Sequence, residues 1–160
     1  SFYVAEVADL LRQQGSAAGC IEVFLHTNSF SNLDNQYRNK IIITLDTPTN
    51  NTIKLTKEAL KGLKKIYKPG YRYKKVGVHL FHLIPENQVQ ISLFHQEHKA
   101  ESKKLSDVID QLNSKFGKNK VKLATVGNRE KEWGLIKKHR SPRFTTQWNE
   151  LLTIGEKVSK

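Results

Sequence analysis

Six histidines, one cysteine and fifteen acidic residues are the groups in this 160-residue chain best suited to metal-ligand and acid–base chemistry. Their spacing does not assemble them. His79 and His82 lie three apart in a run that reads as a strand, so they point to opposite faces and cannot share a metal. His95 and His98, with Glu97 and Glu101 nearby, would meet on a helix, but neither a cysteine pair nor a clear third ligand accompanies them. There is no glycine-rich phosphate loop, no Ser/His/Asp set and no grouping of carboxylates for a two-metal centre. A small hydrolase would need a polar pocket that the sequence does not suggest. The sequence therefore predicts no catalytic residue and no metal site.

What remains is the chemistry of recognition. The chain carries 27 basic against 15 acidic residues, a net charge of +12, which points to a polyanionic partner. Residues 54–75 hold nine bases and one acid, Glu58, and residues 118–143 hold nine bases against Glu130 and Glu132. These two stretches exceed the whole net charge. Lys57, Lys61, Lys64 and Lys68 form one stripe of a predicted helix, readable as a solvated face or as phosphate contacts. Arg72, Lys74 and Lys75 enter a predicted strand, from which they could track a nucleic-acid backbone without reading bases. The tail's Trp133 and Trp148 read as core rather than as a stacking platform, and Ser141-Pro142 as a turn rather than a phosphorylation site.

A second recognition signal is Gln90-Ile91-Ser92-Leu93-Phe94. It pairs a polar hook, Gln90, with two large apolar groups side by side. Neighbouring strand residues face opposite ways, so one sheet face cannot bury both Leu93 and Phe94. A peptide docking in a partner's pocket can use both as anchors, with Gln90 at the rim. The plainer alternative is an edge strand with Val89, Ile91 and Leu93 inward.

Several elements must position these residues. Val4, Val7, Ala8 and Leu11 recur at helical spacing up to Gly15. Residues 20–26 read as a strand, 27–35 as a polar loop and 39–45 as a second strand, with Ile41, Ile42 and Ile43 as a near-continuous buried run closed by Asp46-Thr47-Pro48. A second helix follows, with Thr56 as its expected N-cap, a Leu55/Leu60 staple and the stripe Ala59, Leu60, Leu63, Ile66 and Tyr67, stopped at Pro69-Gly70. Residues 71–84 read as a third strand, 101–116 as a helix and 121–124 as a short strand. Helices should cover one face of an antiparallel or mixed sheet and leave the other bare. Three strands make a thin sheet, and the chain lacks Met and opens inside a helix, so it reads as a fragment lacking a first strand. Hydrophobic content of 38% allows a core under a charged surface. The lone Cys20 excludes a disulfide framework, and no run is long enough to cross a membrane or to serve as a signal peptide. The expected setting is cytoplasmic.

Four stretches resemble the C-terminal part of UmuC-type Y-family DNA polymerases, the type of the catalytic subunit of DNA polymerase V. They are Gln90 to Phe94, like the family's sliding-clamp peptide; Tyr71-Arg72-Tyr73-Lys74-Lys75-Val76-Gly77-Val78, like its last little-finger strand; Asp46-Thr47-Pro48-Thr49-Asn50-Asn51-Thr52, like a loop after an earlier strand; and Trp133 with Ser141-Pro142-Arg143-Phe144-Thr145-Thr146-Gln147-Trp148-Asn149-Glu150-Leu151, like the extension of UmuC-like members. The resemblance implies an α+β, little-finger-like βαββαβ module with two helices on one face, its first strand upstream of Ser1. It divides the chain into a truncated little finger at 1–86, a linker with the clamp-binding peptide at 87–100 and a small helical or irregular extension at 101–160.

The same resemblance implies an error-prone translesion polymerase acting in the SOS response to DNA damage. Its bare sheet face would lie along primer-template DNA and grip phosphates through Arg38, Lys40, Lys74, Lys75 and His79, with Arg72 beside them. The Lys57 to Lys68 stripe would face away. Clamp binding would fall to Gln90, Ile91, Ser92, Leu93 and Phe94. Catalysis, and the magnesium the parent polymerase is implied to use, belong to domains outside this chain. The tail's aromatic and basic content permits contact with an accessory polymerase subunit or a recombinase filament. The alternative is a stand-alone basic nucleic-acid-binding module with no clamp partner.

Overall fold

The computed structural model describes residues 1–31, 35–90, 99–117, 120–127, 141–143 and 145–151. They fall into two compact units, Ser1–Asn128 and Arg129–Lys160. In the first unit the order is α1 (Phe2–Gln13), β1 (Ser16–Thr27), β2 (Arg38–Thr49), α2 (Thr52–Ile66), β3 (Tyr73–Pro85) and α3 (Lys99–Phe116). The architecture is α+β. Among the described residues the strands form one antiparallel sheet in the order β2-β1-β3.

Strand alternation decides which face is covered. Ile21, Val23 and Leu25 of β1 are at most 3% exposed and pack with Val4, Ala8 and Leu11 of α1 and Leu55, Ala59 and Ile66 of α2. Their cross-strand partners Ile43 and Ile41 on β2, and Leu80 and Val78 on β3, join the same core. Both α1 and α2 thus lie on one face of the sheet. Gly15, at φ +63°, ends α1 in a conformation that costs a glycine little.

Several sequence expectations are corrected. Ile41, Ile42 and Ile43 are not a buried run: Ile42 is 56% exposed, because only one face of β2 is covered. β2 also continues through Pro48 to Thr49. As an edge strand, bonded among the described residues to β1 alone, it tolerates a proline, and the register shifts there, between Ala18 and Cys20. The N-cap of α2 is Asn51, whose side chain accepts from the backbone N–H of Ile53 and Lys54 at 2.9 and 3.1 Å. Thr56 lies a turn inside the helix, buried, with no hydrogen-bond partner for its hydroxyl among the described residues. The Leu55/Leu60 staple fails with it, and Leu60 and Tyr67 sit outside the buried stripe, 38% and 54% exposed.

The short strand expected at 121–124 is absent from the described structure, where Ala124–Val126 forms a 3-10 turn. Val121 instead pairs with one side chain: Asn113 on α3 donates to its carbonyl and accepts from its N–H, both at 2.8 Å. α3 is pinned to α1 by Arg12, whose Nε and Nη2 donate to Asp110 at 2.6 and 2.9 Å while Nη1 reaches Asn50 O and Thr52 Oγ1. Trp148, in the second unit, is 87% exposed and so is not core; Trp133 lies outside the described residues.

Candidate nucleic-acid interface

The second face of the sheet is built from the alternate residues. On β1 these are Cys20, Glu22, Phe24 and His26. Across from them on β2 stand Thr44, Ile42, Lys40 and Arg38, and on β3 Phe81, His79, Gly77 and Lys75. The register thus brings Arg38, Lys40, Lys75 and His79 onto one face. Arg38 and Lys75 flank His26 in one cross-strand row, roughly 10 Å apart at strand spacing. Ile42 at 56% and Phe81 at 40% exposure show that this face is open.

The other two predicted contacts are placed differently. The β1–β3 register shifts between His26 and Thr27, so that Lys75 opposes His26 and Tyr73 opposes Thr27. Lys74 is the extra residue of this bulge and has no partner across the ladder. Arg72 precedes the strand and is exposed. The lysines of α2 lie on the helix side, where Lys61 pairs with Glu58 at 2.6 Å; Lys68, expected in the same stripe, falls beyond the helix end at Ile66 and sits over the Tyr37 ring at 5.2 Å.

Aromatic rings fill the middle of the open face. Phe24 lies across Gly77, where an added Cβ would push its ring aside. The His79 ring stands 5.0 Å from Phe24, the His26 ring 6.1 Å from it, and Lys75 Nζ 6.0 Å above it. Phe81 meets the other side of His79 at 6.1 Å.

Beneath the cations lies a residue that sequence reasoning passed over as part of a strand. Glu22 is 5% exposed, yet it belongs to the open face. Its Oε2 accepts from Lys40 Nζ and its Oε1 meets His79 Nδ1, both at 2.9 Å. Hydrogen bonds from Lys40 and then His79 hold its carboxyl below the usual carboxylate range, against the opposing effect of burial. The available signal was position: an acid one step out of phase with Ile21 and Val23 must sit on the face opposite the core.

Among the described residues no three His, Cys, Asp or Glu side chains converge on a metal position, and Glu22 is already committed to Lys40 and His79. This donor set does not fit a catalytic magnesium. His95, His98 and Glu97 lie outside the described residues. Of the proposed clamp peptide, Gln90 is exposed just beyond the 3-10 turn Glu86–Gln88; Ile91, Ser92, Leu93 and Phe94 lie outside the described residues. No helix in the described structure is long and apolar enough to cross a membrane.

An α+β module with two helices on one sheet face and a basic, aromatic second face is the class that fold and surface define. Residues 1–93 match the impB/mucB/samB family C-terminal domain, and residues 103–154 match a domain of unknown function, DUF4113. The chain is 34% identical over 153 residues to Protein UmuC of Salmonella typhimurium, covering 95% of this chain and 36% of that protein. It is 30% identical to Protein SamB and 29% to Protein ImpB of Salmonella typhimurium, each over 93% of this chain and 35% of the relative. The chain belongs to the impB/mucB/samB family, as the C-terminal region of a UmuC-type Y-family polymerase. It spans about a third of the length of these relatives.

Proposed function

We propose that this region holds primer-template DNA against its open sheet face and tethers its polymerase to a sliding clamp during error-prone synthesis past lesions. The observation that carries the DNA half is the gathering of Arg38, Lys40, Lys75 and His79 on an exposed face while the core is confined to the other. Such a face meets phosphates and reads no base edges, so binding is salt-dependent and largely indifferent to sequence. Lys74 and Arg72 extend the basic surface beyond the bulge.

The clamp half rests on sequence. Leu93 and Phe94 act as the anchors of the peptide and Gln90 orients it. A clamp tether raises the effective concentration of the polymerase at a stalled fork without new DNA contacts. The test is titration of the chain against a bacterial sliding clamp beside a Leu93→Ala/Phe94→Ala variant. Binding by the parent, weakened in the variant by about 2 kcal/mol or more, supports the tether. Equal binding by both sinks it. Titration against duplex DNA tests the other half independently.

A further inference from the structure

The geometry points to Glu22 as a counter-charge built into the DNA-binding face, one that keeps Lys40 and His79 to itself and so limits how strongly that face grips a phosphate. The inference rests on the DNA-binding reading and deepens it. A carboxylate at the centre of a surface meant for a polyanion subtracts from its purpose, and folding does not ask for it there. Outward-facing positions of a strand are served by threonine or valine, and burying a charge, as at Glu22, costs free energy that its partners only partly return. Cys20, Phe24 and His26, the neighbours of Glu22 along the same face of β1, bring no charge of that sign.

The side chains are layered. The Glu22 side chain is 6% exposed, while those of Lys40 and His79 are 64% and 57% exposed. The carboxylate therefore lies beneath two groups whose outer sides remain open to a ligand. Each carboxylate oxygen has one of these groups at 2.9 Å. In its own cross-strand row Glu22 faces Ile42 on one side and His79 on the other, so Ile42 offers no substitute donor. A phosphate that took Lys40 entirely would leave a buried carboxylate short of its cation. The phosphate must share Lys40 with Glu22. Arg38 and Lys75, in the row around His26, carry no such restraint from Glu22. Among the described residues the face thus sets Arg38 and Lys75, which Glu22 does not touch, beside Lys40 and His79, which it holds back.

Removing the charge while keeping the shape isolates the effect. The 160-residue chain and its Glu22→Gln variant are titrated into labelled duplex DNA at salt concentrations from about 50 to about 200 mM. The variant is expected to bind roughly fivefold more tightly at the low end, with a slope of log affinity against log salt steeper by about 0.9, the value of one added phosphate contact. Equal affinity and equal slope, with the parent binding, overturn the role of Glu22 and leave DNA binding standing. Weaker binding by a variant that melts like the parent makes Glu22 a support that aims Lys40, and also overturns the restraint. Failure of the parent to bind overturns both readings. Should the variant not fold, the parent alone decides by NMR: on saturation with duplex the Lys40 ammonium and Glu22 carboxylate resonances must both shift, and resonances that stay in place refute the sharing.

Discussion

The two faces of β1 make the most instructive contrast in this molecule. Ile21, Val23 and Leu25 point to the helices and are almost wholly buried; Glu22, Phe24 and His26, interleaved with them, look out on the open face. One strand therefore supplies both the centre of the core and the centre of the candidate interface. Stability on the first face comes from apolar area removed from water. On the second, Arg38 and Lys75 lie exposed and can be changed with little consequence for the fold. The contrast is sharpened by mutations that strike one face and spare the other.

The largest effect is expected at Ile21, fully buried against both helices and between Ile43 and Leu80. Ile21→Ala should cost about 2–5 kcal/mol, the loss of transfer free energy plus a cavity. Urea denaturation would measure it, and a cost under about 1 kcal/mol would show that the core repacks around β1. Next comes Arg12, outside the sheet, which joins α1 to α3 and to the start of α2. Its side chain is 13% exposed and its partner Asp110 28%, so Arg12→Ala should cost about 1–2 kcal/mol, discounted for solvent around the acid. Hydrogen exchange should show α3 loosening before the sheet does; uniform loosening would contradict this. Asn51→Ala should cost about 1 kcal/mol through the lost N-cap, whereas Thr56→Ala, at the position the sequence suggested, should not resemble it.

How much was legible in the sequence follows from the same contrast. The covered face announces itself by periodicity, because burial selects apolar residues at fixed spacing: Val4, Ala8 and Leu11 on α1 were readable as they stand, and β1 was readable as a strand though not by which of its residues face the core. The open face has no such rule. Arg38, Lys40, Lys75 and His79 could be named from the resemblance, but their assembly depends on registers that pairing sets, including the shift that leaves Lys74 without a cross-strand partner. Glu22 needed the third dimension most, since His79 is fifty-seven residues away from it in sequence. Local competition explains other misses. Asn51 displaced Thr56 as the cap because its side chain meets the first free amides of the helix, and Asn113 met Val121 where a strand was expected.

Acid should produce a smaller effect on the open face. The folded state holds the Glu22 carboxyl below its ordinary value of 4.5, so the unfolded chain takes up the proton first as pH falls. The contribution of Glu22 is thus fully present above that ordinary value and is lost as pH drops through the depressed one. Because Lys40 and His79 are well exposed, solvent screens the pair and the loss stays small. Melting curves of the parent and Glu22→Gln should converge at low pH; a gap that persists there would mean that the carboxylate's shape, not its charge, matters to the fold.

The smallest effect on stability, and the sharpest separation of the faces, is expected from Arg38→Ala combined with Lys75→Ala. Both side chains are exposed and both stand beside His26 rather than over the core, so the melting point should barely move, within about 0.5 kcal/mol. DNA binding should weaken nonetheless, and the slope of log affinity against log salt should fall by about 0.9 for each phosphate contact removed. The matched control is Lys57→Ala/Lys64→Ala on the helix side, which removes the same charge from the chain. If net charge alone governed binding, the two pairs would weaken it equally, since a distant duplex feels only the sum. If the open face carries the contact, the sheet pair loses affinity and slope while the helix pair loses little of either. Equal losses would refute the interface drawn here, because they would show that +12 charges, rather than their placement on one side of β1, attract the nucleic acid.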